Sequence, residues 1–343
     1  MKSILLITGV SGRIGAAAAK KFSDQFQVVG LDIIPPKENL SNVDFIIADI
    51  SNKESVKKTL EEIKEKYGDR IASFIHLAAY YNFQGGNWDK YQKITIDGTR
   101  NLLEGLQNFQ LDQFVFSSTL LVYAPCKVGE KISENSKVEP KWEYPLSKIK
   151  TEKIIDEKQG NASSVILRIA GIYNDDCNSI PISQQIYRIY QKQLESHLFP
   201  GNLHHGSSFL HMDDLIQALE KVVEMRRELA KQELFVLGEP EVMSYGDLQK
   251  EIGLLLYSKP WWTIRIPKWV AKMGAFIEEK LLGKKSFIKP WMIDLADDHF
   301  DVDIRKAKSL LRWEPVHYLK NSLPKMIQKL KTDPQKWMKD HGL

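Results

Sequence analysis

The sequence predicts an α/β fold, in which a doubly wound parallel sheet is followed by a smaller, mainly helical C-terminal domain. Short apolar runs alternate with helical stretches through the first half of the chain. The first run ends in a glycine-rich turn, and polar residues follow later runs, where such a sheet binds its ligands. We therefore place one domain at residues 1–173, to which the segment at about 204–237 returns, and a discontinuous substrate domain at 174–343.

The composition excludes several classes of protein. With 43% hydrophobic and 27% charged residues, the chain is expected to be soluble and globular. The 48 basic and 44 acidic residues give a net charge of +4, and no basic block is interleaved with aromatics, so we expect no nucleic-acid partner. No window approaches about 18 uninterrupted apolar residues, so we expect no membrane span. Cys126 and Cys177 are too few for a disulfide framework, which favours the cytoplasm.

The first strand and its turn predict a phosphate-binding loop. An apolar run at residues 4–7 leads to Gly9, Gly12 and Gly15 and then to a helical stretch at 16–22. Glycines suit this turn because it needs positive φ and a close approach of the backbone to a pyrophosphate at the helix start. The spacing is G-x-x-G-x-x-G rather than G-x-G-x-x-G, so an ordinary glycine-rich loop is the alternative.

The second strand, at residues 28–31, ends in Asp32. An acid about 20 residues beyond the glycine turn can accept a hydrogen bond from a ribose 2′-hydroxyl, and it would repel a 2′-phosphate. The sequence therefore favours NAD over NADP, although Arg13 in the loop could partly offset this preference.

The alternation then continues in order. Further strands are predicted at 45–48, 74–77, 114–116, 165–167 and 233–237, and helices at 54–67, 89–106, 144–157, 183–192 and 212–225. Asp49, Ala78, Ala79, Thr119 and Arg168 all stand at or just beyond strand ends. We therefore expect these residues to line one edge of the sheet.

Tyr144 and Lys148 are four residues apart in the sequence, so a helix would place them on one face, one turn from each other. A positive charge near a phenol favours the phenolate and makes the tyrosine a better base. The spacing alone also occurs by chance on many solvated helix faces.

A larger set of motifs occurs in a fixed order. The segment 8–15 reads T-G-x-x-G-x-x-G, and 144–148 reads Y-x-x-x-K. Further landmarks are at 48–51, 76–79, 117–123, 167–168, 172–173, 209–214, 301–303 and 311–315. This set resembles the extended short-chain dehydrogenase/reductase family, also called the NAD-dependent epimerase/dehydratase family, over most of the chain.

The resemblance implies a Rossmann fold and a catalytic triad. Tyr144 would be the general acid/base, and Lys148 would hold the nicotinamide ribose and lower the tyrosine pKa. The hydroxyl of Thr119 would bind the substrate oxygen; we choose Thr119 over Ser118 because it stands four residues before Tyr123. The expected NAD-binding residues are Gly9, Ser11, Gly12, Arg13, Ile14, Gly15, Asp32, Asp49, Ile50, Leu77, Ala78, Ala79, Tyr144 and Lys148. The expected substrate contacts are Tyr80, Tyr81, Ser118, Arg168 and His211.

The resemblance implies a cytoplasmic NAD(P)-dependent oxidoreductase that acts on a secondary alcohol or carbonyl of an unidentified, partly apolar small molecule. The alternatives are a nucleotide-sugar epimerase with the same triad and, in another class, a non-catalytic NAD(P)-sensing or assembly protein. The complete triad favours an enzyme. We also expect a homodimer through the helices at 89–106 and 144–157.

Three departures from the family pattern narrow the activity. Leu120 and Leu121 replace the Asp-Glu pair of the dehydratases, which argues against the removal of water from a sugar. The residues 169–171 lack the aromatic pair and the asparagine of many nucleotide-sugar enzymes. Thr95 stands where an asparagine is usual.

Several other aromatic and histidine residues have two interpretations. His76 is expected to be structural. We expect no metal site at His204, His205 and His211, because no close set of carboxylates accompanies them. Tyr80, Tyr81, Phe83 and Trp88 could equally form a pocket wall or core.

The aromatic and apolar residues near the C-terminus predict a buried helix face first, and a membrane-surface or lid role second. They are Trp261, Trp262, Ile264, Ile266, Val270, Met273, Phe276, Ile277 and Leu281, and they are bordered by Lys268, Lys272, Lys280, Lys284 and Lys285.

Overall fold

The computed structural model describes residues 2–82, 85–280 and 288–343, with the side chains of 278–280 excepted. Four residues named in the sequence analysis, Phe83, Leu281, Lys284 and Lys285, and the side chain of Lys280 therefore lie outside the described residues. Within the described part of the chain, no helix is long and apolar enough to cross a membrane.

The predicted parallel sheet is confirmed. The strands are β1 (Ile4–Thr8), β2 (Gln27–Asp32), β3 (Val43–Ile47), β4 (Arg70–His76), β5 (Gln110–Thr119), β6 (Ser163–Ile169), β7 (Gly171–Tyr173), β8 (Leu198–Phe199), β9 (Phe209–His211), β10 (Gln232–Leu237) and β11 (Ile264–Arg265). Seven of them form one parallel sheet in the order β10-β6-β5-β4-β1-β2-β3. This is the doubly wound arrangement. Two small pairs, β7 with β9 and β8 with β11, lie outside it.

Helices account for most of the remaining chain. They are α1 (Arg13–Phe22), α2 (Lys53–Tyr67), α3 (Trp88–Lys90), α4 (Gly98–Leu106), α5 (Glu143–Lys158), α6 (Ile180–Tyr190), α7 (Met212–Glu224), α8 (Tyr245–Tyr257), α9 (Lys268–Lys280), α10 (Pro290–Leu295), α11 (Arg305–Leu310), α12 (Leu319–Thr332) and α13 (Pro334–Asp340). A π-helical segment, Tyr91–Asp97, joins α3 to α4, so the predicted helix at 89–106 is continuous.

Each face of the sheet has its own core. Buried residues of α1 and α7 pack on one face, and those of α2, α4 and α5 pack on the other. The central strands between them are buried on both sides, and β1 is buried at all five of its positions, whereas the edge strand β3 is half-buried and exposes Ile47. Apolar runs without alternation are typical of such strands, which is why the sequence indicated them well.

A third core lies beyond the sheet. It is formed by buried residues of α6, α8, α12 and α13. The segment after residue 173 does not stay separate from the sheet, because β10 is its edge strand and Phe300, Val302 and Trp313 pack into the core beside α1 and α7. The division into residues 1–173 and 174–343 remains a prediction.

The C-terminal apolar residues are not the buried face that the sequence first predicted. Met273, Phe276 and Ile277 on α9 are exposed, as is Trp262 before it. The periodicity correctly placed the α9 side chains on one face. The helix, however, packs against the rest of the protein with its other side.

A buried hydrogen-bond chain fastens β1 and β4 to α4. The Thr8 hydroxyl lies 2.6 Å from Nδ1 of His76, and Nε2 of His76 lies 2.8 Å from the Thr99 hydroxyl. The Thr8 oxygen accepts the amides of Leu77 and Ala78, so its proton is left for Nδ1. Thr99 donates to the carbonyl of Thr95, so its oxygen must accept from Nε2–H. His76 is thus a neutral structural residue, in agreement with its pKa, which burial lowers to about 3.

Replacing Thr99 by valine should destabilise the fold, because the buried Nε2–H of His76 would lose its acceptor. We expect the free energy of unfolding to fall by about 1–3 kcal/mol in urea titrations.

Thr151→Val is the matched control. Thr151 is also buried and its hydroxyl also donates to the carbonyl four residues earlier, at Ser147. Its oxygen serves no side chain in the described structure, so this variant should lose less stability. Equal losses in both variants would contradict the role given to the His76 bond.

Candidate active site

The glycine turn after β1 is shaped by contacts that only glycine permits. Gly9 has φ +74°, and a Cβ there would lie 2.9 Å from the amide nitrogen of Ala78. A Cβ on Gly15 would lie only 2.1 Å from the carbonyl oxygen of Gly9. The turn therefore closes tightly between the first turn of α1 and the segment that follows β4.

The N-terminus of α1 is open to a ligand. Its N-cap is Gly12, which offers no side-chain cap, and the first turn contains no acidic residue. Uncapped amide groups and a positive helix end favour a phosphate. Gly12 and Arg13 are exposed here, while Ser11 and Ile14 are half-buried.

Asp32 ties the end of β2 to the same turn. Its carboxylate accepts the amide of Ser11 at 3.0 Å and that of Ile33 at 2.8 Å. The Ser11 hydroxyl in turn donates to the carbonyl of Ile34 at 2.6 Å. The side chains of Ile33 and Ile34 are exposed beside this acid. A glycine turn and a carboxylate placed next to each other in this way fit the pyrophosphate and the adenosine ribose of a dinucleotide.

The other predicted cofactor residues follow β3 and β4. Asp49 is exposed and accepts both the amide and the hydroxyl of Ser51. Ile50 is buried, and its side chain leaves no room for a Cβ on Gly98. Leu77 and Ala78 are held against the glycine turn by Thr8, and Ala79 comes next in the chain. This edge of the sheet thus fits a dinucleotide by its shape and its free amide groups.

Tyr144 and Lys148 lie on α5, and Thr119 ends β5. The Nζ atom of Lys148 is 5.8 Å from the centre of the Tyr144 ring. Burial raises the pKa of Tyr144 to about 12, and a hydrogen bond from the Thr119 hydroxyl opposes this rise. The three side chains of the predicted triad are therefore neighbours.

Lys148 is almost completely buried, with 2% of its surface exposed. Its Nζ donates to the carbonyl of Ser117 at 2.7 Å and lies 4.6 Å from the centre of the Phe116 ring. Burial lowers the pKa of Lys148 to about 7, although Glu152 favours the charged form. The Ser117 hydroxyl donates to the carbonyl of His76 at 3.4 Å, which links this lysine to the Thr8–His76 chain.

Aromatic rings surround the phenol. Tyr81 meets Tyr144 edge to face at 4.8 Å, and Trp142 lies 5.5 Å from it. Trp291, from α10, packs on Trp142 at 5.0 Å. The sequence suggested Tyr81 as a pocket wall but missed the two tryptophans. Trp142 is only two residues from Tyr144 and could have been noticed, whereas Trp291 is distant in the sequence.

Tyr80 and Trp88 pack together around the buried Tyr91, and Trp88 lies against the core on one face of the sheet. Tyr80 packs edge to face on Tyr91 at 4.8 Å, and Trp88 lies 6.4 Å from Tyr91. The Thr95 hydroxyl accepts the amide of Tyr80 at 3.0 Å. Thr95, which departs from the family pattern, thus fixes the backbone just before Tyr81.

Ser118 and Arg168 lie in a buried ion pair. Arg168 bonds both carboxylate oxygens of Glu152, at 3.2 and 2.6 Å, and Ser118 donates to the same carboxylate at 2.5 Å. The guanidinium also lies 4.6 Å from the centre of the Tyr123 ring. The polar groups of both residues are therefore engaged by Glu152, which the sequence did not single out.

His211 is the N-cap of α7. Its Nδ1 accepts the amide of Asp213 at 3.2 Å, and its ring stacks on His317 at 4.3 Å. Burial lowers the pKa of His211. These contacts anchor α7 to the segment before α12.

His211, Asp213 and His317 could bring three metal-ligand atoms within 4.8 Å of one another. Nδ1 of His211 is already used at the helix cap, and Nδ1 of His317 bonds Asp214 at 2.9 Å. The two rings are also nearly parallel, at 23°. Stacked rings do not direct both lone pairs at one ion, so we assign no metal here.

Comparison with known proteins places this arrangement in a family. The NAD dependent epimerase/dehydratase family matches residues 5–238. The dTDP-D-glucose 4,6-dehydratase of Dictyostelium discoideum is 25% identical over 271 residues, which cover 72% of this chain and 61% of that protein. The chain thus spans less than two thirds of that relative. A decarboxylating sterol-4-alpha-carboxylate 3-dehydrogenase of Schizosaccharomyces pombe is 19% identical over 97% of this chain and 98% of its own length.

A solved structure shares the fold. The UDP-glucuronic acid 4-epimerase from Bacillus cereus in complex with NAD matches with a TM-score of 0.72 and 21% identity, over 96% of this chain and 99% of that one. Because the family match covers more than half of the 343 residues, the chain belongs to the NAD-dependent epimerase/dehydratase family and is an enzyme.

Proposed function

We propose that the protein is an NAD-dependent oxidoreductase that transfers hydride at a secondary alcohol or carbonyl carbon of a small molecule. The observation that carries the proposal is the meeting of Tyr144, Lys148 and Thr119 at the sheet edge that also holds the glycine turn. A hydroxyl donor and an acid/base beside one oxygen are what alcohol and carbonyl chemistry requires.

NAD would lie along this edge. Gly9, Gly12 and Gly15 leave room for its pyrophosphate, with the amides of Arg13 and Ile14 as donors. Asp32 would take the adenosine ribose, which favours NAD over NADP. Asp49 and Ile50 would border the adenine, and Leu77, Ala78 and Ala79 would lie beneath the cofactor. Lys148 would hold the second ribose.

The proposed oxidation and reduction use the same side chains in opposite directions. NAD, when bound, would accept the C–H hydride of the alcohol in oxidation, and NADH would return a hydride to the carbonyl carbon in reduction. Tyr144 takes the hydroxyl proton, while the Thr119 hydroxyl holds the same oxygen. In reduction, the Tyr144 phenol returns that proton to the carbonyl oxygen.

A partly apolar substrate is favoured by the rings around the phenol. Tyr81, Trp142 and Trp291 present carbon surface beside Tyr144. Ser118 and Arg168, by contrast, are engaged by Glu152 and offer a substrate little polar contact. Among the relatives, the sterol dehydrogenase acts on a ring-based alcohol of this kind, whereas the dehydratase and the epimerase act on nucleotide sugars.

We further propose that the C-terminal domain, within 174–343, binds the remainder of the substrate. A cavity of about 200 Å³ lies between α6 and α10, and Arg188, Gln185 and Gln249 supply polar groups to it. Met292 also lines this cavity, whereas the preceding Trp291 packs toward Trp142. α10 therefore borders both places, the cavity through Met292 and the rings beside the phenol through Trp291. A cytoplasmic location suits the two free cysteines, Cys126 and Cys177.

Tyr144→Phe should lower kcat by roughly 10²–10⁴-fold with little change in KM, because it removes the proton acceptor and keeps the ring. NADH formation would be followed with a panel of secondary alcohols that includes hydroxysterols. Tyr91→Phe is the control, since Tyr91 is buried beside Tyr80 and its hydroxyl faces a backbone carbonyl. Undiminished turnover in Tyr144→Phe would refute the assignment.

A nucleotide-sugar epimerase is the second candidate, because the epimerase from Bacillus cereus shares the fold over nearly the whole chain. In the same assay with UDP-glucuronic acid, an epimerase would convert the sugar without net formation of NADH. Thermal stabilisation by UDP-sugars in the presence of NAD, but not by hydroxysterols, would favour this candidate.

The burial of Lys148 should make stability depend on pH. Its folded-state pKa is about 7, against 10.5 ordinarily. Between these pH values the unfolded chain binds more protons than the folded protein. The cost of burying this lysine therefore decreases, and the free energy of unfolding increases, as the pH rises. Relative to Lys148→Met, the wild-type free energy of unfolding should rise from pH 7 to 9.5, by up to about 1.4 kcal/mol per pH unit.

Urea titrations across this pH range measure the difference between the two proteins. Lys320→Met, at an exposed position on α12, is the control and should follow the wild-type curve. A constant gap between wild type and Lys148→Met would contradict a lowered pKa.

We infer a homodimer formed through the predicted helices at 89–106 and 144–157. The outward row of α5 carries Lys150, Lys153 and Glu157, all exposed, with Leu146 and Ile149 half-buried beside them. A two-fold interface can pair charges of both signs across such a row.

Light scattering should give twice the 39.5 kDa mass of the chain. Lys150→Glu combined with Lys153→Glu should shift the protein to monomer by placing four like charges together. Lys339→Glu, on α13, is the control and should leave the protein dimeric. A monomeric wild type at micromolar concentration would refute the dimer.

A further inference from the structure

α9 exposes an apolar stripe along its length. Trp269, Met273, Phe276 and Ile277 are between 42% and 64% exposed. Their spacing of four, three and one residues puts them on one face of the helix. We call these four side chains the α9 stripe. Trp262 and Ile264, in the segment before the helix, are also more than half exposed.

The opposite side of α9 holds it to the protein. Lys268 pairs with Asp297 at 2.5 Å, and Lys272 pairs with Asp294 at 2.6 Å. Lys268 also donates to the carbonyl of Asp294, in α10, and Ala275 is buried. This orientation is the reverse of the usual one, in which an amphipathic helix turns its apolar face to the core. The stripe therefore takes no part in holding the described fold together.

The segment around the stripe is strongly basic. Residues 259–289 contain eight Lys or Arg residues and two acids, Glu278 and Glu279, in a chain whose net charge is +4. The segment alone thus carries +6, and the remainder is slightly acidic. Lys259 and Arg265, which border the stripe in sequence, are exposed. Lys268 and Lys272 are paired with Asp297 and Asp294, so Lys259 and Arg265 carry the exposed positive charge of the described segment before the helix. Positive charge next to an apolar stripe complements a surface that is anionic outside and apolar beneath.

The length and the residue types also fit a lipid surface. α9 has 13 residues, or about 20 Å, which is too short to cross a hydrocarbon layer about 30 Å thick. Tryptophan is enriched at the boundary between headgroups and acyl chains, where its ring is half in each phase. A helix of this composition lies in the plane of the boundary.

We propose that the α9 stripe docks the protein on an anionic lipid bilayer, with Trp269 and Phe276 inserted among the acyl chains and the basic residues at the headgroups. α10 lies next to α9, and its Trp291 stands one ring from Trp142 and two from Tyr144. The side of α9 opposite the stripe therefore faces α10, the helix that contributes a ring to the wall of the proposed active site. The proposal does not depend on which substrate the enzyme uses.

Vesicle flotation with the full chain tests this surface. The wild type should float with phosphatidylcholine vesicles that contain phosphatidylserine, and more weakly with phosphatidylcholine alone. Trp269→Glu combined with Phe276→Glu should lower the bound fraction about tenfold or more, because two charges would enter the apolar layer. Val316→Glu is the matched control, since Val316 is a comparably exposed apolar residue distant in sequence from α9, and it should bind like the wild type.

A second variant covers the case in which the first does not fold. Lys259→Glu combined with Arg265→Glu should also weaken binding, and high salt should weaken the wild type in the same way. Absence of wild-type flotation, or an equal loss in Val316→Glu, would overturn the proposal. So would unchanged flotation of the Trp269/Phe276 variant together with a smaller mass in light scattering, which would show that a second copy covers the stripe.

Discussion

The edge of the sheet that carries the candidate active site depends on the hydroxyl of Thr8. It accepts two amides from the segment after β4 and donates to His76, so one oxygen joins the end of β1 to residues 76–78. Through His76 and Ser117 the same chain of bonds reaches Lys148. A glycine turn and a lysine that are far apart in the sequence are thereby held at the same edge, and a buried, neutral histidine can do this without the cost of an internal charge.

The features that the sequence predicted well are those that local physics determines. The strand that ends at Thr8 is wholly buried, so its apolar run has no competing interpretation. Glu152 and Trp291 were missed for the opposite reason. Glu152 resembles any charged residue of a helix until Arg168 and Ser118 surround it. Trp291 reaches Trp142 only because the chain returns to the site more than a hundred residues later.

The α9 stripe shows a different limit. Periodicity identifies which side chains share a helix face, but it contains no information on which face meets the protein. In the structure, the side of α9 that meets the protein carries the lysines paired with Asp294 and Asp297 and the buried Ala275. Each of these pairs is partly exposed and weak on its own. The aromatic residues of the helix lie on the exposed face.

Two opposing influences act on the pKa values of Tyr144 and Lys148. Proximity of an ammonium would favour the phenolate of Tyr144, but burial raises the pKa of the phenol and lowers that of Lys148. Burial prevails in the protein alone, so the Tyr144 phenol keeps its proton near neutral pH, and Lys148 loses much of the positive charge that an exposed lysine would carry. Such a phenol is a better proton donor than acceptor, which suits the reduction of a carbonyl. For oxidation, a further positive charge near the phenol would favour the phenolate, and NAD, when bound, would supply one through its oxidised nicotinamide ring. The direction of proton transfer at Tyr144 would thus follow the redox state of the cofactor.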